Sequence, residues 1–300
     1  MVEQQVLDNA GSAIRKEVLQ EFESVMPGKI VCPGDEGYEV ARKVWNGMID
    51  RHPSLILYCA GVEDIRRAVD FARTNNLLVA VRSGGHNVAG NAVCDGGLVI
   101  DLSRMKGIEV DHKSLVARAQ AGLTWGEFDR ATQTCGLATT GGIVSKTGIA
   151  GLTLGGGIGW LMRKHGLTCD NLLSAEIVTA VGRLLTANER ENSDLFWGLR
   201  GGGGNFGIVT SFEYRLHSVG PVLAGMIAYP AERAAELLRF YRDYTAAAPD
   251  ELTSMFLFLT VQQAQYLPER IRGKPAIAVH VCYAGPVEEG QKVLRPLREV

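Results

Sequence analysis

Glycine is concentrated in four short clusters, and this distribution restricts the fold more than any other feature of the sequence. The chain has 36 glycines in 300 residues, about 12% against about 7% in average proteins. The clusters lie at 84–85, 141–142, 155–159 and 201–207, each between segments with clear periodicity. Because glycine accepts positive φ and lets the backbone approach a ligand closely, these loops predict a backbone wrapped around something large.

The first cluster contains a histidine, in the stretch VRSGGHN at 81–87, directly after an apolar run. Consecutive backbone N–H groups in such a loop can face an anion. His86 can serve there as a ligand, an acid or base, or a nucleophile. It can also cap a neighbouring carbonyl in a tight turn, and the local sequence leaves these alternatives open.

Charge and composition argue against several classes of protein. Lys and Arg total 31 and Asp and Glu total 33, so the net charge of −2 gives no electrostatic reason to bind nucleic acid or an anionic membrane. The N-terminus is polar and amphipathic, unlike a signal peptide, and the longest uncharged run, 147–162, is shorter than the ~20 residues of a bilayer span. The six cysteines form no CxxC pair. We therefore expect a cytoplasmic protein with reduced thiols and no metal.

Apolar periodicity predicts an α+β chain. The predicted strands are 54–59, 77–81, 98–102, 107–111, 115–119, 175–180, 183–186, 207–216, 222–229, 252–261 and 276–283. The predicted helices are 62–72, one from Thr124 to Gly136, 193–197, 231–247 and one from Val287. A capping box at Thr124 and Glu127 marks the start of the second helix, and Ser193 with Asp194 is predicted to cap the third. A domain boundary is predicted near 218–221, where the glycine clusters end.

One motif match is misleading. Gly202, Gly204 and Gly207 satisfy the G-x-G-x-x-G pattern of dinucleotide-binding proteins. That motif requires a strand before the glycines and a helix after them, so that the helix N-terminus faces the pyrophosphate. Here a helical segment precedes and a strand follows, which excludes a nicotinamide site of this type.

Four segments, in order, carry a resemblance: VRSGGHN, GGLVIDLS at 96–103, the glycine-rich stretch 139–171, and ENSDLFWGLRGGGGNFGIVT at 191–210. They resemble the FAD domain of the PCMH-type (vanillyl-alcohol-oxidase) superfamily. Within it they are similar to the berberine-bridge-enzyme-like group, especially bacterial enzymes of the 6-hydroxynicotine oxidase kind. The upstream stretch 31–56 also fits that group, so the resemblance covers nearly the whole chain.

The resemblance implies a domain organisation. It places an N-terminal helix and a lead-in segment at 1–48, and a PCMH-type FAD-binding domain of two α/β subdomains at 49–219. A partial substrate-binding domain, an antiparallel sheet backed by helices, follows at 220–300. The chain stops at Val300 inside a predicted helix, whereas similar enzymes continue for well over a hundred residues. The expectation is therefore a fragment or a naturally shortened form.

The same resemblance implies FAD as cofactor, joined by a single covalent link from a ring nitrogen of His86 to the flavin 8α-methyl. A neutral imidazole is a suitable nucleophile for that carbon. Some relatives carry a second link through a cysteine, but Val144 and Ser145 occupy the corresponding region here. The residues expected to contact FAD are Arg82, Ser83, Gly84, Gly85, His86, Asn87, Thr147, Gly148, Gly151, Gly207, Ile208 and Val209.

The resemblance also assigns roles around these residues. The stretch 141–159 is expected to pass along the isoalloxazine and ribityl chain, with a helix–sheet packing loop as the alternative. Trp197 and Phe206 are predicted to be packing residues. Tyr283 is predicted to be a buried structural tyrosine, and the catalytic base is expected beyond Val300.

The implied function is that of an FAD-linked oxidase. Hydride passes to the flavin from a C–H bond next to O or N of a small organic substrate, and O2 reoxidises the flavin. Two alternatives remain: a flavin-binding fragment or scaffold without turnover, and a flavin dehydrogenase that avoids O2. The substrate and the oligomeric state are not readable from the sequence.

Overall fold

The computed structural model describes Val6, residues 11–263 and residues 269–300. The predicted N-terminal segment is thus only partly covered, because residues 1–5 and 7–10 lie outside the described residues. The chain divides into two compact units. The first comprises residues up to 158 together with 167–217, and the second comprises 159–166 together with 218–300.

The described helices and strands follow the predicted order. The helices are α1 Lys16–Val25, α2 Tyr38–Ala41, α3 Val62–Thr74, α4 Trp125–Gln133, α5 Ile149–Leu154, α6 Met162–His165, α7 Ser193–Leu199, α8 Ala234–Ala247 and α9 Val287–Glu299. The strands are β1 Lys29–Val31, β2 Leu55–Tyr58, β3 Val79–Arg82, β4 Leu98–Asp101, β5 Ile108–Asp111, β6 Val116–Gln120, β7 Leu137–Ala138, β8 Leu172–Val178, β9 Leu184–Asn188, β10 Ile208–Arg215, β11 His217–Ser218, β12 Leu223–Pro230, β13 Leu252–Thr260 and β14 Pro275–Tyr283. Every strand and helix predicted from periodicity is present. The short elements α2, α5, α6, β1, β7 and β11 carry too little periodicity to be predicted.

The first unit contains a small sheet with the strand order β1-β2-β4-β3. Strands β2 and β3 both pair with β4 in parallel, while β1 pairs with β2 in the antiparallel direction. All four residues of β4 are buried, as expected for a central strand covered on both faces. The parallel register places the last residue of β3, Arg82, beside the last residue of β4, Asp101.

A second, antiparallel sheet in the same unit has the order β5-β6-β10-β8-β9. Helix α4 packs its apolar side chains Trp125 and Phe128 edge-on against Tyr214 of β10. The predicted capping box starts this helix, since the N–H of Thr124 donates to a carboxylate oxygen of Glu127 at 2.8 Å.

Helix α5 is joined to the second sheet by a buried polar contact. The hydroxyl oxygens of Thr153 on α5 and Tyr214 on β10 lie 2.8 Å apart, and both side chains are buried. Burial raises the pKa of the Tyr214 phenol far above its ordinary range, so this hydroxyl stays protonated. The contact fixes α5, in the middle of the glycine-rich stretch 139–171, against the sheet.

Two predictions around α7 are wrong. The helix is preceded by Asn192 in the left-handed conformation at φ 48, so Ser193 lies inside the first turn and is not the capping residue. Asparagine tolerates this conformation better than most residues. Trp197 is 76% exposed and therefore does not pack, because α7 turns that position toward solvent. Phe206 does pack, since a Cβ on Gly198 would lie 2.8 Å from its ring.

In the second unit, β12, β14 and β13 form one antiparallel sheet, as predicted. Strand β14 is the central strand of this sheet. One face packs against α8 and α9 through buried leucines at 237, 294 and 297. Tyr283 is 5% exposed in that core and lies against Gly290, where a Cβ would come within 2.7 Å of its ring. It is a structural tyrosine, as predicted.

Two further observations concern the cysteines and the helices. All six thiols are free, and those at 59, 94, 169 and 282 are buried. Along the described parts of the chain, no helix combines the length and the apolar character needed to cross a lipid bilayer.

Candidate functional site

Two glycine loops of the first unit cross in direct backbone contact. A Cβ atom built on Gly84 would lie 2.2 Å from the backbone nitrogen of Gly148, and one built on Gly148 would lie 2.4 Å from the nitrogen of Gly84. Real Cβ atoms do not come within 3.0 Å of backbone atoms. Neither glycine has positive φ. The crossing therefore requires glycine on both loops because of close approach, and not because of backbone conformation.

The first loop, residues 83–87, leaves the end of β3 and is fixed at its start. The Ser83 hydroxyl donates to the carbonyl oxygen of Ala121 at 2.6 Å. The guanidinium of Arg82 is buried and contacts the buried carboxylate of Asp101, with Nε 2.6 Å from Oδ2. The other carboxylate oxygen accepts the N–H of Ser103 at 2.7 Å. The loop thus starts from a rigid, charge-compensated base.

The second loop, residues 147–149, is fixed to the segment that leads into α4. The N–H of Trp125 donates to the carbonyl of Thr147 at 2.9 Å. The N–H of Ile149 donates to the carbonyl of Leu123 at 2.9 Å. Gly148 lies between these two bonds, which hold it against the first loop.

The crossing loops border a cavity of about 720 Å³. This volume lies within the range of about 300–1,000 Å³ that is typical of cofactor and ligand sites. The lining comes from positions 79–81 of β3, both crossing loops, positions 91, 92 and 102, α5, and the glycine cluster at 203–207 with the start of β10. Three of the four sequence clusters therefore meet at one cavity.

The residues predicted to contact a cofactor are brought together there, with one exception. Those that line the cavity are Ser83, Gly84, Gly85, His86, Asn87, Thr147, Gly148, Gly151, Gly207, Ile208 and Val209. Arg82 does not line it, because its side chain turns into the protein toward Asp101. The Arg82 side chain instead lies at the base of the first loop, where it forms the ion pair with Asp101.

The chemistry of the lining is neutral. None of the described residues that line the cavity is Lys, Arg, Asp or Glu. Polar side chains come from residues such as Ser83, Asn91 and Asn205, and apolar ones from residues such as Leu102 and Val209. Among the described residues, the N–H groups of 84–87 donate to no backbone carbonyl. A bound diphosphate would therefore be held by N–H groups and neutral side chains, as in other anion-binding concavities.

His86 is the titratable group at this cavity. Its Nδ1 lies 3.5 Å from the hydroxyl oxygen of Thr147, on the other crossing loop. The indole of Trp45 stacks on the imidazole, with ring centroids 5.5 Å apart and planes 18° apart. Burial lowers the pKa of His86 below its ordinary value of 6.5, so the ring is neutral at neutral pH. A neutral imidazole has a free lone pair and can act as a nucleophile.

The stretch 141–159 divides into two parts, one that packs against the protein and one that lines the cavity. Gly141 and Gly142 pack against the indole of Trp125, where added Cβ atoms would lie 2.5 and 2.8 Å from ring atoms. This part is a packing loop. Residues 147–155 instead contribute to the cavity.

The cluster at 201–207 connects the end of α7 to the start of β10, so the helix precedes the strand as predicted. Gly207 has φ +142, and a Cβ there would lie 2.4 Å from the carbonyl oxygen of Val178. Glycine is thus needed for both conformation and space. The cluster adds Gly203, Gly204 and Asn205 to the lining, which sequence reasoning did not identify.

Sequence reasoning also missed two supporting residues, Asp101 and Trp45. Asp101 ends an apolar strand, and a buried carboxylate at such a position indicates a positively charged or hydrogen-bonding partner. The sequence does not identify that partner, because it depends on the strand register. Trp45 lies in the stretch 31–56, where no local pattern indicates its role. Its contact with His86 joins positions far apart in the chain.

Comparison with known proteins shows which proteins this chain resembles. A family model described as "FAD binding domain" matches residues 53–188. The (R)-6-hydroxynicotine oxidase of Paenarthrobacter nicotinovorans is 39% identical over 275 residues, covering 90% of this chain and 58% of that protein. The FAD-linked oxidoreductase pgmH of Aspergillus terreus is 36% identical over 295 residues, covering 96% of this chain and 58% of that protein.

Solved structures of oxidases and related proteins also resemble this chain. The crystal structure of 6-hydroxy-D-nicotine oxidase from Arthrobacter nicotinovorans matches with a TM-score of 0.83 and 34% identity, over 91% of this chain and 59% of that one. The BBE-like 1 protein of Physcomitrella patens matches with a TM-score of 0.84 and 26% identity, over 92% and 58%. The chain thus spans somewhat less than 60% of the length of each of these proteins.

Proposed function

Because the chain belongs to the PCMH-type FAD-linked oxidoreductases, in their berberine-bridge-enzyme-like group, we propose that it provides the FAD site of an enzyme that oxidises a small organic molecule. Hydride leaves a C–H bond next to O or N of the substrate, and the electrons then pass to dioxygen. FAD supplies this redox chemistry when bound, while the protein supplies binding and orientation.

The observation that carries the proposal is the crossing of Gly84 and Gly148 beside a cavity of about 720 Å³ that His86 borders. Both crossing loops border the cavity, so a ligand bound there contacts two backbone segments at once. The uncharged lining favours a ligand whose diphosphate is satisfied by N–H groups and whose ring system contacts apolar side chains. Both features fit FAD.

In this proposal His86 bonds covalently to the flavin. One imidazole nitrogen forms a C–N bond to the 8α-carbon, and the bonds broken are its own N–H and one C–H of that methyl group. The two protons and two electrons released would pass to dioxygen, giving hydrogen peroxide. The neutral state of the ring, which its lowered pKa supports, supplies the lone pair for this bond. None of the six free cysteines lines the cavity, which favours a single link.

Acid precipitation tests the covalent bond. The wild-type chain loaded with FAD should keep its yellow colour in the acid pellet, and the denatured band should fluoresce on a gel. His86→Ala should release all of its flavin into the supernatant, because none of the other described residues that border the cavity is a histidine, cysteine, tyrosine or lysine. Flavin in the wild-type supernatant alone would remove the covalent bond from the proposal, and peptide-bound flavin in His86→Ala would move it to another residue.

The pH dependence of attachment follows from the pKa of His86. Since burial lowers that pKa below its ordinary value of 6.5, more than half of the His86 rings are neutral at pH 6.5. The initial rate of covalent incorporation at saturating FAD should therefore fall on acidification with a midpoint below pH 6.5, and by about tenfold per pH unit once the pH is well below that midpoint. Rates of acid-stable flavin formation across this range measure it. A midpoint above 6.5 would contradict the assignment.

A further inference from the structure

Trp45 is an exposed aromatic side chain that nevertheless holds a defined position over His86. Its side chain is 63% exposed and does not line the cavity. Its indole still lies parallel to the imidazole, at a centroid distance of 5.5 Å and an angle of 18°. It covers one face of the imidazole and leaves the edge, where both nitrogens lie, uncovered.

The backbone around Trp45 is fastened to the loop that carries His86. The N–H of Trp45 donates to the carbonyl of Gly85 at 3.0 Å. The side-chain amide of Asn46 donates to the carbonyl of Val88 at 2.8 Å. These bonds lie on either side of His86 in the sequence, so the indole is held in place by the loop that it covers. The arrangement is a preformed clamp and not a chance contact of an exposed side chain.

We propose that Trp45 is a positioning residue for covalent attachment of the flavin to His86. The inference rests on the proposed function of His86 and adds a residue to it. Trp45 forms and breaks no bond in the step. It fixes the plane of the imidazole, so that the nucleophilic nitrogen keeps one direction relative to the cavity.

Two contacts together restrict the ring. The indole restricts tilting of the imidazole plane, and the Thr147 hydroxyl meets Nδ1 at 3.5 Å from the opposite loop. Without the indole, Thr147 provides the one polar or stacking contact of the ring that remains among the described residues, and this single long contact restricts the ring less. Because covalent steps require near-attack geometry, the loss should slow bond formation without removing the cavity.

The test separates bond formation from FAD binding. Apoprotein of the full chain is mixed with excess FAD, and acid-stable flavin is followed with time for wild type, Trp45→Phe, Trp45→Leu and Trp45→Ala. Non-covalent FAD affinity is measured in the His86→Ala background, with and without Trp45→Leu. Trp197→Ala is the matched control, because Trp197 is also exposed, at 76%, and stacks on no described histidine.

Trp45→Leu and Trp45→Ala should form the bond on the order of tenfold more slowly, whereas Trp45→Phe, which retains an aromatic face, should stay within about twofold of wild type. FAD affinity in the His86→Ala background should be unchanged by Trp45→Leu. Equal rates for Leu, Phe and wild type would overturn the proposal, as would a tenfold loss of affinity with Trp45→Leu, which indicates a structural role. A wild-type protein without covalent flavin would instead remove the proposed role of His86. If Trp45→Ala does not fold, the comparison of Leu with Phe decides.

Discussion

Replacing Gly84 with alanine should abolish retention of FAD and lower the free energy of unfolding by about 3 kcal/mol or more. The added Cβ would lie 2.2 Å from the nitrogen of Gly148, and both backbones are held in place, so relief requires separating the two loops. Separation opens the cavity where the diphosphate is proposed to bind. Flavin absorbance after gel filtration and urea unfolding of the apoprotein measure the two effects.

Gly148→Ala should give the same loss, because it inserts a methyl group into the same contact from the other side. Gly151→Ala is the matched control for the stability effect alone, because Gly151 also lines the cavity. It lies in α5 a few residues further along, and a Cβ there meets no atom within 4 Å. Alanine in a helix is favoured over glycine by up to about 1 kcal/mol, so this variant should be as stable as wild type or more so. Wild-type stability and FAD retention in Gly84→Ala would show that the crossing is not a constraint.

Those expectations depend on a contact that sequence reasoning could not identify. Local signals were sufficient for strands and helices: the apolar run 98–102 and the capping box at Thr124 gave β4 and α4. They were also sufficient to select the glycine loops. They could not show that Gly84 touches Gly148, because that contact depends on how two distant loops are fixed to different neighbours.

Errors in the prediction have similar causes. Ser193 has the side chain of a capping residue, but Asn192 precedes it in the left-handed conformation and takes that position. Trp197 was predicted to pack, whereas the face of α7 on which it lies is exposed. The role of Arg82 changed because a parallel register, invisible in the sequence, places Asp101 beside it. The residue type limits which contacts a side chain can make, and the tertiary structure decides which of those contacts form.

The pairing of Arg82 with Asp101 leads to the second large effect. Asp101→Asn keeps the size of the side chain but removes its charge, which leaves the Arg82 guanidinium buried without compensation. Both residues are no more than 6% exposed. Removal of one partner from a buried ion pair typically costs about 3–5 kcal/mol. We expect a loss of that size in urea unfolding, together with weaker FAD retention, because the loop 83–87 begins directly after Arg82.

The ion pair of Arg66 and Glu63 provides the comparison, with side chains 45% and 66% exposed and an N–O distance of 2.8 Å. Glu63→Gln should cost no more than about 1 kcal/mol, since exposed pairs contribute little. Arg82→Met with Asp101→Asn should be less destabilised than Asp101→Asn alone, because no buried cation then remains. If Asp101→Asn costs no more than Glu63→Gln, the base of the loop does not depend on this pair. If the double variant instead loses as much free energy of unfolding as Arg82→Met and Asp101→Asn lose together, each residue stabilises the loop through contacts other than the attraction between their charges.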